Sequence, residues 1–297
     1  MIFNIVCKNE IKLIARSKRM FIIMAIYNII LAVIAMLVLF YVRNITLSSG
    51  LSPYRYMMPL NIGLMSITAV LLALFITPAA GGSVAGERER QTLDILLSSR
   101  LTPAQIVTGK MMSSACSAFI LLISGVPVIT VTLVYGGIGL AEIYQSVLYV
   151  AFFVLLIAAV GVFCSCTFKT TTSANVASYG IILFLTLGTA ILVVLSAFAV
   201  NAVSPDNSSY YVGPMILFWL LNPAVTFTGL TFRQLNYTWF NYMLATFGVP
   251  DVIISFWSIL SIILQTVFIC IMILFSIRNL DPLREGLKHK KKTVSRT

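Results

Sequence analysis

An all-α integral membrane protein with six transmembrane helices is the fold this sequence predicts, and three observations predict it. Of the 297 residues, 59% are hydrophobic and only 10% are charged, against about 25% charged in ordinary soluble domains. Mean hydropathy is +0.99, and a soluble fold of this length could not hide so much apolar surface from water. Six apolar runs, at 20–42, 60–80, 111–135, 143–164, 177–203 and 252–277, contain no Asp, Glu, Lys, Arg or His. Each reaches the ~20 residues that cross ~30 Å of hydrocarbon. No stretch between the runs is long enough for an independent soluble core, so residues 1–297 read as one membrane domain.

Residues 1–19 precede the first run and predict an amphipathic helix. Lys8, Lys12, Arg16 and Arg19 form one basic stripe at helical spacing, with Phe3, Val6, Cys7, Ile11 and Ile14 opposite. Such a helix lies along the inner membrane surface, as a lipid anchor or an elbow touching a cytoplasmic partner. The run behind it is too long for a signal-peptide core and lacks an A-x-A-like cleavage end, so it is expected to be retained.

Between the second and third runs lies "GGSVAGERERQTLDILLSSRLTPAQIVTGK", residues 81–110. Pro78, Gly81, Gly82 and Gly86 are expected to release the second span. The following "ERERQTLDILLSSR" predicts a short helix with Leu93, Leu96 and Leu97 on one face and Glu87, Arg88, Glu89 and Asp94 elsewhere. Acidic residues in its first turn would suit the positive end of the helix dipole. A second helix starts at "LTPAQ", with Thr102 as its cap and Pro103 in the first turn, where a missing N–H costs nothing.

An external region, residues 204–251, separates the fifth and sixth runs. Its "GPMILFWLLNPAVTFTGLTF" is apolar but broken at Asn222-Pro223, and neither half can cross. A partly re-entrant pair of short helices is expected there, its backbone covered by protein. Trp219, Tyr237, Trp239 and Tyr242 suit an interfacial aromatic belt. A basic tail, residues 278–297, closes the sequence. With the N-terminus inside, only Arg43, Arg55 and Arg233 of the 20 Lys and Arg fall outside, a strong positive-inside bias. The net charge of +11 therefore reports topology and contact with the lipid bilayer, and no nucleic-acid partner is expected.

The chemistry that is missing is equally informative. Gly81 and Gly86 have the glycine spacing of a phosphate-cradling loop, but Glu87 and Arg88 stand where Lys and Ser/Thr are required. Gly109-Lys110 fails too, with Ala104 in place of the first glycine and Met111 in place of the hydroxyl residue. The chain itself is not expected to be an enzyme or to hold a metal or other cofactor. Cys7, Cys116, Cys164, Cys166 and Cys270 all fall in helices or inside, which argues against structural disulfides. No ionisable residue sits in a span to relay ions. Asn28 and Gln265 are mid-span and are expected to bond neighbouring helices.

At this point the residues resemble a family. Six spans, an amphipathic N-terminal helix and the 81–110 segment are similar to the type-2 permeases of ATP-binding-cassette exporters. The hallmark is carried by Glu87-Arg88-Glu89, Thr92-Leu93, Leu96-Leu97, Pro103 and Gly109-Lys110, and these residues with Asp94 would couple to the ATPase. The resemblance implies a permease subunit served by a separate cytosolic ATPase that holds ATP and Mg. It also implies a second permease chain, identical or not, in a plasma membrane of bacterial type with both termini cytoplasmic. Residues 87–97 would be a coupling helix and residues 2–19 the elbow. Ser66, Thr68, Thr186 and Thr189, hydroxyl-bearing residues of spans two and five, are the candidates for lining the pathway. A stand-alone secondary transporter and a membrane scaffold without transport remain the alternatives.

Overall fold

The computed structural model describes residues 17–49, 54–93, 102–134, 139–192, 194–195, 198, 217–234, 239–246 and 249–280. Among these residues the chain is helical throughout, without strands. Five long helices come first: α1 (Lys18–Ser49), α2 (Tyr54–Glu89), α3 (Pro103–Val134), α4 (Leu140–Thr167) and α5 (Thr171–Leu183). A π-helical turn, Phe184–Gly188, continues α5. A 3-10 turn, Leu217–Leu221, leads into α6 (Pro223–Gln234), α7 (Trp239–Thr246), α8 (Asp251–Ser255) and α9 (Trp257–Leu280). Six segments are long and apolar enough to cross a bilayer: Met20–Leu47, Pro59–Glu89, Pro103–Leu133, Leu140–Thr167, Thr171–Leu192 and Trp257–Leu280. They match the six expected spans.

Helix α4 is the axis of the bundle. Within its most apolar stretch 61% of residues are buried, against 17% for α1, and it packs against α2, α3, α5, α6 and α9. Its "AAVGV" run allows this, because small residues bring helix backbones together where apolar burial gives no drive between helices in lipid. Gly161 sits directly against α2: a Cβ there would lie 2.5 Å from the Ala80 Cβ and 3.2 Å from the Gly81 nitrogen. A polar stitch adds to α1 and α3, where the Asn28 amide donates to the Ser124 hydroxyl at 3.0 Å, a neighbour-helix bond as expected.

Helix α3 begins where the sequence placed it. Thr102 Oγ1 accepts from the Gln105 N–H at 3.3 Å, and Gln105 Oε1 accepts from the Thr102 N–H at 3.0 Å. This reciprocal box satisfies two donors at a helix start, and Pro103 takes the first helical position.

Three expectations are corrected. First, Pro78, Gly81, Gly82 and Gly86 do not release the second span, because α2 stays helical to Glu89. Its neighbours hold it together. Tyr179 of α5 donates its hydroxyl to the Leu74 carbonyl at 2.8 Å, the carbonyl that Pro78 leaves without its i+4 N–H. Ser165 of α4 offers its oxygen to the Val84 and Ala85 N–H groups at 2.9 and 2.8 Å.

Second, α2 ends in a left-handed residue that is not glycine. Gln91 has φ 57°, Thr92 N–H bonds the Glu87 carbonyl and Gln91 N–H bonds the Arg88 carbonyl, the 6→1 and 5→2 pair that closes a helix. Glu87, Arg88 and Glu89 therefore form the last turn of α2 rather than the first turn of a new helix.

Third, Trp219 does not face a lipid belt. It is buried with Leu220, Phe240, Leu244, Val249, Ile254 and Trp257 in a small satellite core. Tyr242 is exposed. Tyr237 and the Trp239 side chain lie outside what is described.

Candidate functional site

One end of the bundle gathers four helix termini. Glu87, Arg88 and Glu89 close α2, and each holds a different neighbour. Arg88 donates to the Phe168 carbonyl at 2.8 Å and to the Cys166 carbonyl at 3.4 Å, placing a cation where the α4 carbonyls run out of partners. The Glu89 carboxylate accepts from the Thr171 N–H at 2.8 Å and from its hydroxyl at 3.0 Å, placing an anion on the first turn of α5. Each charge meets the helix end of opposite dipole sign. The helix start that Glu89 suits is thus that of α5, whose own cap, Thr170, accepts from the Ser173 N–H. Glu87 bonds Lys110 of α3 at 2.6 Å, both side chains largely shielded at 23% and 13% exposed. Asn279, near the end of α9, reaches Thr167 at 3.1 Å.

Of the other residues singled out in this segment, Thr92 is exposed, Leu93 is buried at 8%, and Gly109 is buried in the second turn of α3. Asp94, Leu96 and Leu97 lie outside the described residues, as do Lys8, Lys12 and Arg16. Arg19 falls in the first turn of α1.

A second feature lies in the middle of the bundle. Asn222 is wholly buried and holds a helix start to a helix defect. Its Oδ1 accepts from the Ala224 and Val225 N–H groups at 2.8 and 3.2 Å, capping α6 behind Pro223. Its Nδ2 donates to the Thr186 carbonyl at 2.7 Å and the Thr189 hydroxyl at 2.8 Å, on the π turn of α5. A π turn disturbs the i→i+4 ladder, and the amide of Asn222 serves an oxygen within it. Tyr149 of α4 donates to the Pro223 carbonyl at 2.7 Å, and Gln265 of α9 donates to Thr226 at 2.9 Å. At its other end α6 returns to the start of α4, where Gln234 bonds Gln145 and the Glu142 carbonyl. The break foreseen at Asn222-Pro223 is a knot of four elements.

Between α2, α4, α5 and the start of α6 lies a cavity of about 550 Å³, within the ~300–1,000 Å³ usual for small-molecule sites. Ser66 and Thr186 are on its wall, as are Tyr149 and Tyr179. Thr68 is fully buried and bonds the Leu64 carbonyl, and Thr189 is held by Asn222, so neither faces this space. The tyrosines were not singled out from sequence. An aromatic hydroxyl in a span gives no periodic signal, and only packing reveals which carbonyl it serves.

Among the described residues no cluster of His, Cys, Asp or Glu is arranged to hold a metal, and Cys116, Cys164, Cys166 and Cys270 form no disulfide. What the arrangement offers is mechanical linkage at one end and an apolar chamber in the middle. No curated protein sequence matches the chain. A family model described as "ABC-2 family transporter protein" matches residues 4–278, nearly the full length and all six spans; the chain is a multi-pass membrane protein of the ABC-2 transporter family.

Proposed function

We propose that this chain is the membrane-spanning permease subunit of an ATP-driven exporter, moved by a separate cytosolic ATPase that holds ATP and Mg. It works beside a second permease chain, identical or different, in a plasma membrane of bacterial type with both termini cytoplasmic. Residues 87–97 meet the ATPase, and residues 2–19 lie on the membrane surface as the elbow. The cavity behind Ser66 and Thr186 is part of the substrate's path.

The observation that carries this reading is the junction at Glu87, Arg88 and Glu89. Three consecutive side chains tie the end of α2 to α3, to the end of α4 and to the start of α5. A push delivered to residues 81–110 is thereby shared by four spans, which a passive connecting loop would not need. Coupling also requires that the driver prefer one of two arrangements. The ATPase supplies that preference when ATP closes it.

The test is a complex of this chain with its ATPase in vesicles. Glu87→Ala combined with Arg88→Ala is expected to abolish substrate-stimulated ATPase activity while membrane insertion, read by protease protection, stays intact. Full stimulation in the double variant would refute the role of the junction.

A further inference from the structure

The cavity has an unusual chemistry for a site in which polar groups are plentiful. Five hydroxyls line it, and each already donates to a main-chain carbonyl: Ser66 to Ile62 at 2.8 Å, Tyr149 to Pro223 at 2.7 Å, Tyr179 to Leu74 at 2.8 Å, Thr186 to Ile182 at 2.9 Å and Thr228 to Ala224 at 2.8 Å. A hydroxyl has one proton, so none of the five has a donor left for a guest. The start of α6 also faces this space, and a helix start normally offers free N–H groups to anions. Here Pro223 has no N–H, Ala224 and Val225 donate to Asn222 Oδ1, and Thr226 N–H donates to the Asn222 carbonyl. No lining residue carries a charge.

The wall therefore presents hydrocarbon and oxygen lone pairs, and no hydrogen-bond donor. A buried carboxylate, phosphate or carbonyl would lose its water and gain nothing in return. An alkyl chain loses nothing, and an alcohol can still donate to a lone pair. Access is sideways. The rim between α2 and α5 is formed by Val70, Leu74, Leu183 and Leu187, all well exposed on the flank of the bundle at 60%, 51%, 54% and 59%, at the depth where lipid chains lie.

We propose that the cavity is a binding site for a long aliphatic chain, uncharged or ending in a hydroxyl, which enters from the bilayer between α2 and α5 and is selected by a wall stripped of hydrogen-bond donors. The site deepens the transport reading and rests on it only for its role as cargo path; occupancy itself requires no ATPase.

The experiment uses the full chain in lipid nanodiscs and two photoreactive probes of equal length, a diazirine dodecanol and the matching dodecanoate, with labelled segments read by mass spectrometry. The alcohol is expected to label residues 66–74 and 179–187, and the carboxylate to label them at least about tenfold less. Ala73→Trp, which fills the chamber, and Val70→Trp, which only blocks its rim and leaves the core intact, should both abolish that labelling. Ala73→Asn adds a free amide donor and should admit the carboxylate. Equal labelling by both probes, labelling that survives both Trp variants, or cross-links between two copies in place of probe would each overturn the proposal. Full ATPase stimulation in the Glu87/Arg88 double variant with labelling intact would instead sink the transport reading alone.

Discussion

Two interruptions of the membrane helices, at Pro78 in α2 and at the π turn of α5, are repaired in different ways. In α2, Pro78 removes one backbone donor, and the carbonyl it leaves is served by a single tether, the Tyr179 hydroxyl, on the wall of a cavity. In α5 the π turn is served by Asn222, which is fully buried and makes four side-chain hydrogen bonds in two directions. Backbone groups at membrane depth must find partners within the protein, so both repairs are obligatory. The α5 repair is over-determined and fixes the inner end of α6. The α2 repair depends on one bond beside open space, and below it stand the glycines and the three charged residues of the junction. The α5–α6 knot is thus held by four side-chain hydrogen bonds of one residue, and the carbonyl freed by Pro78 by one.

The largest effect should come from breaking the over-determined site. Asn222→Ala removes a helix cap and leaves the π-turn oxygen bare, a loss of about 3 kcal/mol. Thermal unfolding in detergent would read it. Asn222→Ser keeps a capping oxygen for α6 and should recover part of the loss.

Next comes the close approach that holds α2 against α4. Gly161→Ala puts a methyl 2.5 Å from the Ala80 Cβ, and separating the helices should cost about 2 kcal/mol by the same measurement. An unchanged midpoint would mean that α2 gives way at no cost and that its close approach to α4 does not hold it.

Tyr179→Phe is expected to cost about 1 kcal/mol, the worth of one hydrogen bond to a partly shielded carbonyl. Its sharper readout is amide exchange near Pro78, which should speed up in α2 and stay constant in α6. Equal acceleration in both would erase the distinction between the two repairs.

Smallest of all, Gln91→Gly relieves a left-handed residue at the end of α2, a gain of a few tenths of a kcal/mol after glycine's extra chain entropy. Unfolding midpoints would show it as a slight rise.

These contrasts also explain what could be read in advance. Span positions follow from uncharged runs, because a charge at mid-bilayer is too costly to be scattered by chance. The start of α3 was legible because Thr102 and Pro103 form a local signal, a cap residue followed at once by a first-turn proline. The end of α2 was misread for a related reason. Pro78 and the glycines are local breaking signals, but their effect is cancelled by Tyr179, Ser165 and Gly161, which come from spans distant in sequence. The true stop is at Gln91, a residue with no special liking for the left-handed region. Asn222-Pro223 was visible as a break, whereas its partners on α4, α5 and α9 were not.

By itself the sequence determined the solvent and the number of crossings. Each depends on composition summed over twenty or so residues, and no fold can change that sum. Tertiary structure alone decided which breaks in a helix are real, that Glu87, Arg88 and Glu89 bind their own chain, and that the cavity's hydroxyls have no proton to offer. Those outcomes depend on hydrogen bonds of a few ångströms between distant residues, and a hydrogen bond leaves no period in a sequence.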